Sequence, residues 1–376
     1  MPWNTRDTMS LRQEFVHLAN QRTLTMTELC ERFNISRQTG YKWLKRGEHA
    51  LADQSRRPAS SPSKSPEAIE QEVVRLRLAH PCWGGRKISR RLQDLGFEGV
   101  PHPSTVTSIL HRHKLILPAE SARSEPWTRF EHAQPNALWQ MDFKGHFETL
   151  DKQRCSPLTV LDDHSRFNIL LRACGPTDTA AVQAGLREAF ARYGLPVRIN
   201  TDNGAPWGSP SSPGQLTELA VWLIRVGVCI SYSRPYHPQT NGKDERFHRT
   251  LKAEVLNGRC YENSHQAQAE FERWRIVYNC ERPHEAIGMA TPESRYWASS
   301  RAYPSILPEI EYSPDDVVMK VRSGGRVDFE GRRIKLSNAL YGLPVAARAK
   351  PGEDGVFDFW FAHHRILTLD LRDQNA

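Results

Sequence analysis

The apolar and polar positions of this chain fall into three regimes. Residues 10 to 47 carry helical signals. Thr25-Met26-Thr27-Glu28 has capping-box spacing, and Leu29, Phe33 and Ile35 then supply a compact apolar face. Ser36 is a natural N-cap for a second helix over residues 37–46, whose polar positions include Arg37, Gln38, Thr39, Lys42, Lys45 and Arg46. A short helix, a turn through Asn34-Ile35 and a basic helix make a helix-turn-helix pattern, which would set Arg37, Gln38 and Thr39 at the major-groove end. Tyr41 and Trp43 read as packing residues. An ordinary helical hairpin has the same spacing. Residues 51–66 form a Ser/Pro-rich linker whose Arg56 and Arg57 can follow a phosphate backbone. A second helical unit is predicted over 67–116: Ile69, Val73 and Leu76 open it, Arg86 and Lys87 begin a basic helix, and Pro103 begins another. Residues 117–136 read as a further linker.

From 137 the period becomes mixed. Trp139, Met141, Phe143 and Phe147 are apolar while Gln140, Asp142, Lys144 and His146 are polar, the period of a half-buried strand with Asp142 on its polar side. Further strands fit 156–162, 167–173 and 228–233, and Asp202 ends a short strand through Val197 and Ile199. Val182, Leu186, Ala189, Phe190 and Tyr193 mark a helical stripe, 216–226 reads as helix, and Phe247, Leu251 and Val255 stripe a helix beginning near Asp244. Residues 137–300 are therefore expected to be an α/β layer domain. From 313, short alternating segments (327–329, 334–336, 356–361) between Gly-rich turns predict a small β-barrel. The predicted fold class is multidomain: all-α units, a central α/β core and a C-terminal barrel.

Charge sharpens this picture. The net +8 sits in residues 1–130, which hold 21 Lys/Arg against 13 Asp/Glu; the remainder is balanced at 30 of each. Cations placed over the helical units suit binding to nucleic-acid phosphates. Seven scattered cysteines give no disulfide framework or zinc spacing, and no apolar run approaches a membrane span. The opening residues lack a signal-peptide pattern, so a cytoplasmic, nucleoid-associated setting is expected.

Three carboxylates stand out by placement: Asp142 inside a strand, Asp202 at a strand end, and Glu245 in a first helical turn. Hard oxygen ligands of this kind suit Mg²⁺ or Mn²⁺, and a pair of ions bridged by carboxylates would serve phosphodiester chemistry. On a helix, Glu245, His248, Arg249 and Lys252 share a face, so the acid would sit beside cations able to hold DNA; Lys243 and Arg246 add to that set. The same spacing serves a solvated ion-pair ladder equally well. Asp202 in TDNG also fits a β-turn. Asp162-Asp163 is best explained as a hairpin turn, and Asp244, about 100° around the helix from Glu245, is expected to point elsewhere.

These motifs carry a resemblance. WQMDF (139–143), LDDHSR (161–166), TDNG (201–204), HPQTNGKDERFHRTLK (237–252) and RPHEAIGMATPESRY (282–296) resemble the integrase core of insertion-sequence DDE transposases, relatives of retroviral integrases. The N-terminal region is similar to their paired helix-turn-helix units. The resemblance implies an RNase H-like core, Asp142, Asp202 and Glu245 as the D, D and E, two Mg²⁺ (or Mn²⁺) ions, and double-stranded DNA as substrate. It also implies a homo-oligomer, at least a dimer when two DNA ends are synapsed. One departure stands out: Asp202 and Glu245 are 43 positions apart, longer than the family's usual spacing. The surplus is expected in a surface loop, 207–214, where Trp207 is a candidate contact for the DNA end. A nuclease that cuts without joining and an inactive DNA-binding regulator are the alternatives.

Overall fold

The computed structural model describes residues 7–53, 64–116, 131–210, 212–233 and 242–373, in two compact units divided after Lys64. The linker cations Arg56 and Arg57, and residues 234–241 that precede the Glu245 helix, lie outside the described residues.

The first unit is three helices, α1 (Thr8–Gln21), α2 (Met26–Arg32) and α3 (Arg37–Arg46). Its starts are set by side chains. Thr25 and Glu28 form the reciprocal capping box, and Ser36 Oγ accepts from Thr39 N at 3.2 Å. Each such cap contributes about 1 kcal/mol. Phe15, Val16, Leu29, Cys30, Trp43 and Leu51 fill the core. Gly40 lets α3 approach α2 closely, because a Cβ there would lie 2.7 Å from Cys30 Sγ. Trp43 is buried under Arg12 and Arg46, as a packing residue should be, whereas Tyr41 is 51% exposed on the outer face of α3. That corrects the reading of Tyr41: positions 40 and 43 share the buried stripe, and 41 is turned away from it.

The second unit begins with α4 (Glu67–Ala79), α5 (Gly85–Asp94) and α6 (Pro103–Arg112), closed over Trp83, Ile88, Leu92, Val106 and Leu110. Its α/β layer follows. Strands β1 (Leu138–Phe143), β2 (Phe147–Glu148), β3 (Arg154–Asp162), β4 (Asn168–Cys174), β5 (Arg198–Thr201) and β6 (Cys229–Tyr232) make one six-stranded sheet. β3 pairs antiparallel with β1, β2 and β4, while β1, β5 and β6 run parallel. One face, through Trp139, Met141, Leu158 and Val160, packs on α7 (Thr179–Tyr193) and α8 (Glu218–Arg225). The other, through Leu161 and Leu171, packs on α9 (Gly242–Leu251) and α10 (Ser264–Ile276). Period-two alternation thus puts Asp142 on the α9 side, opposite the face of Met141.

The C-terminal strands are β7 (Val317–Lys320), β8 (Arg326–Phe329), β9 (Arg332–Lys335), β10 (Pro344–Ala349), β11 (Val356–Phe361) and β12 (His364–Asp370). They form a four-stranded antiparallel sheet ordered β12-β11-β10-β7 and a separate β8-β9 hairpin. The expected barrel is not what the described residues form: β12 and β7 end the larger sheet, so it does not close on itself. The sheet's apolar face has another partner. Val345, Phe359 and Phe361 join the same core as Trp222 and Leu223 of α8, and Ser337 Oγ donates to Leu216 O at 2.9 Å.

Candidate metal and nucleic-acid site

Asp142 lies near the end of β1, with Thr159 of β3 directly opposite it in the antiparallel register. The parallel register pairs Gln140 with Asn200, so two residues further along, Asp202 emerges from β5 beside Asp142. Glu245 sits in the first turn of α9, exposed like Asp202. Their charges meet. Asp142 is pushed up to about 7, first by burial and then by the negative charges of Asp202 and Glu245, against a 2.7 Å hydrogen bond donated by Phe143 N to its Oδ1. Carboxylates that raise one another in this way form the oxygen-donor set a hard divalent cation would stabilise.

Two residues of α9 lie elsewhere than the sequence led us to expect. Asp244 is 2% exposed and points to the acid cluster rather than away from it, and His248 is buried with it rather than set against solvent. Thr159 Oγ1 lies 3.3 Å from Asp244 Oδ1 and 2.8 Å from His248 Nε2, and it donates to Asp142 O at 3.0 Å. His248 Nδ1 lies 4.0 Å from Asp142 Oδ2. Asp142, Asp244 and His248 bring their ligand atoms within 4.8 Å of one another. Burial raises the Asp244 carboxyl well above its usual range, helped by Asp142, and lowers His248 to about 3. The signal was present in the spacing: 244, 247, 248 and 251 form the buried stripe of α9. Phe247 and Leu251 mark that stripe, and the polar residues sharing it go in with them.

The predicted DNA contacts divide by exposure. Arg37, Gln38, Lys42, Lys45, Arg86, Arg246, Arg249 and Lys252 face solvent. Thr39 is tied by its hydroxyl to Ser36 at 2.9 Å, and Arg46 stacks on Trp43. Lys243 is not a surface cation: it pairs with the buried Asp163 and is lowered to about 8, chiefly by desolvation. Lys87 is likewise half-buried and lowered to about 8, by desolvation and then by Arg282. Asp162 and Asp163 form the β3–β4 turn. Asp162 accepts from Asn136 N at 2.7 Å and Ser165 Oγ at 2.6 Å, so its acidity is consumed in holding the turn. Trp207 is 3% exposed, its ring 5.4 Å from that of Phe143, and its carbonyl accepts from Thr217 Oγ1 at 3.0 Å. A residue so enclosed is core, which overturns its reading as a contact for a DNA end.

Known proteins agree with this architecture. Residues 132–238 and 226–292 each match an Integrase core domain family. The chain carries an integrase core. Residues 11–59 match a Helix-turn-helix domain, 39–110 a Homeodomain-like domain, and 316–376 the IS481 family transposase, C-terminal domain. The resemblance to insertion-sequence transposases read from the motifs is thereby borne out. The chain is 26% identical over 240 residues to the insertion element IS476 uncharacterized 39.2 kDa protein of Xanthomonas euvesicatoria, covering 63% of this chain and 66% of that protein. It is 28% identical over 169 residues to the insertion element IS407 uncharacterized 31.7 kDa protein of Burkholderia multivorans, covering 45% and 57%. The chain thus spans just under two thirds of the first relative's length and over half of the second's. Among solved structures, the HTLV-2 integrase catalytic core domain in complex with magnesium aligns with a TM-score of 0.33 at 15% identity, over 43% of this chain and 97% of that one. Among the described residues, no helix around this integrase core is long and apolar enough to cross a membrane.

Proposed function

We propose that this protein is an insertion-sequence transposase that cuts DNA at the ends of its element and joins the freed 3′-OH ends to target DNA. The observation that carries the reading is the meeting of Asp142, Asp202 and Glu245 at one end of the integrase sheet, where the charges of Asp202 and Glu245 hold the Asp142 carboxyl up to about 7. Asp142, Asp202 and Glu245 would hold two Mg²⁺ or Mn²⁺ ions, which when bound activate the attacking oxygen and stabilise the leaving one.

The chain's own residues then act by position. Arg246, Arg249 and Lys252 on the exposed side of α9 neutralise the DNA backbone beside Glu245, and the cations of α3, with Gln38, hold the duplex by phosphates and base edges. Hydrolysis breaks the P–O3′ bond at the element end, with water supplying the hydroxyl of the phosphate. Joining forms a new P–O bond from that 3′-OH and expels a target 3′-oxygen, so no outside energy source is required. Because two ends must be joined, the working form is at least a dimer, acting on bacterial DNA in the cytoplasm.

The test uses the full chain with labelled duplex bearing the DNA that borders its gene, in Mg²⁺ or Mn²⁺, against EDTA and Glu245→Gln. Joined products that require both the ion and Glu245 are expected. Cutting without joining would convert the assignment to a nuclease, and binding with neither would make it a regulator.

A further inference from the structure

We infer that Asp244 is a fourth carboxylate of this site, seated beneath the three exposed to DNA, and that its charge strengthens cation binding. The inference rests on the proposed cation site but not on strand transfer. Its basis is the way Asp244 is held. The residue is 2% exposed, on the same helical turn as Glu245, yet its side chain faces the sheet. Thr159, fully buried and opposite Asp142, makes one hydroxyl serve three groups: Asp142 O at 3.0 Å, Asp244 Oδ1 at 3.3 Å and His248 Nε2 at 2.8 Å. His248 Nε2 also lies 3.7 Å from Asp244 Oδ2, and its other nitrogen faces Asp142.

This arrangement ties α9 to β3 and β1 from below, so the residue beside Glu245 is anchored to the strand opposite Asp142. Burying a carboxylate next to another carboxylate opposes folding unless something offsets it. Neither Thr159 nor neutral His248 supplies a positive charge. A divalent ion among Asp142, Asp202 and Glu245 would supply it, and Asp244 would in return deepen the potential that the ion meets. Asp244 therefore acts as a positioning and charge-supplying residue, without contact with DNA.

The test measures Mn²⁺ binding to the full chain without DNA, by electron paramagnetic resonance of the free ion, alongside the melting temperature with and without metal. Asp244→Asn keeps the shape and removes the charge. It is expected to weaken Mn²⁺ binding by at least about tenfold, the order expected when one charge is removed close to a divalent ion in a medium of effective dielectric about 20. Its metal-free melting temperature is expected to be unchanged or higher.

Unchanged binding overturns the inference. A lower metal-free melting temperature, with or without weaker binding, assigns Asp244 a structural role and also overturns it. If Asp244→Asn does not fold, Thr159→Val decides: it keeps the charge but releases the carboxylate from its hydroxyl, and binding no weaker than wild type overturns the inference. A wild-type chain that binds no Mn²⁺ removes the cation site and this inference together. A wild-type chain that binds Mn²⁺ but joins no DNA removes only the transposase reading.

Discussion

Helices α3 and α9 are ten residues each, both rich in Arg and Lys, and they use their polar residues in opposite ways. α3 buries Gly40 and Trp43 and leaves Arg37, Lys42 and Lys45 in water, over a small apolar core. α9 buries Asp244 and His248 beside Phe247 and Leu251, against a sheet whose facing strands carry Asp142 and Thr159. The difference lies in what sits beneath. An apolar floor demands an apolar stripe, whereas a polar floor can hold buried polar groups provided each finds a partner. Positive surface charge is common to both helices; a buried acid–histidine–threonine network belongs to α9.

The largest expected effect is on chemistry. Glu245→Gln should lower cutting and joining by on the order of 10³-fold or more, the scale seen when a key electrostatic stabiliser of a transition state is removed, with DNA binding retained in a gel-shift assay. Lys42→Ala in α3 should leave the rate on saturating DNA unchanged. If both changes act on binding alone, the two helices do the same work and the contrast fails.

Stability gives the next separation. Phe247→Ala, which empties a ring site between Trp274 and Tyr278, should cost about 3–5 kcal/mol in denaturant unfolding. Tyr41→Ala on the outer face of α3 should stay within about 0.5 kcal/mol.

Acid should then separate the floors. His284, whose ring lies 4.6 Å from that of Tyr278, is held neutral, well below its usual range, by burial and by Arg282 and Lys87. A group whose folded value is depressed stabilises the fold above its unfolded value, near 6.5. That stability is lost as pH falls. Melting curves should show about 1.4 kcal/mol lost per such histidine one pH unit below that point, and His284→Asn should flatten the slope. An unchanged slope would mean that His284 is already charged in the fold.

The smallest effect is on salt. Removing Arg37 or Lys42 should reduce the slope of log affinity against log salt by about 0.9 for each phosphate no longer neutralised. An unchanged slope would mean that α3 faces away from DNA.

Much of the fold was legible because each element carries its own local signal. The Thr25 capping box, the Ser36 cap and the alternation through Trp139 to Phe143 place their helices and strand without reference to the rest of the chain. The barrel was not legible, because alternation shows that a strand has an inner face but not which layer will cover it; the cover proved to be α8, some 100 residues earlier in the sequence. Trp207 was hidden for the same reason. A Gly/Ser/Pro-rich stretch reads as surface, yet the ring of Phe143 closes over it.

The sequence by itself determined the order of the domains, the concentration of positive charge in residues 1–130, and the three acids Asp142, Asp202 and Glu245 with their positions at strand and helix ends. Those depend on spacing of a few residues and on motifs, which are written locally. The tertiary structure decided which polar residues are inside. Lys243 is drawn to Asp163, and Asp244 and His248 are drawn beneath Asp142 by a threonine 85 and 89 positions away. Desolvation and pairing depend on what the fold brings alongside, and no local pattern on α9 names its partners on β1 and β3.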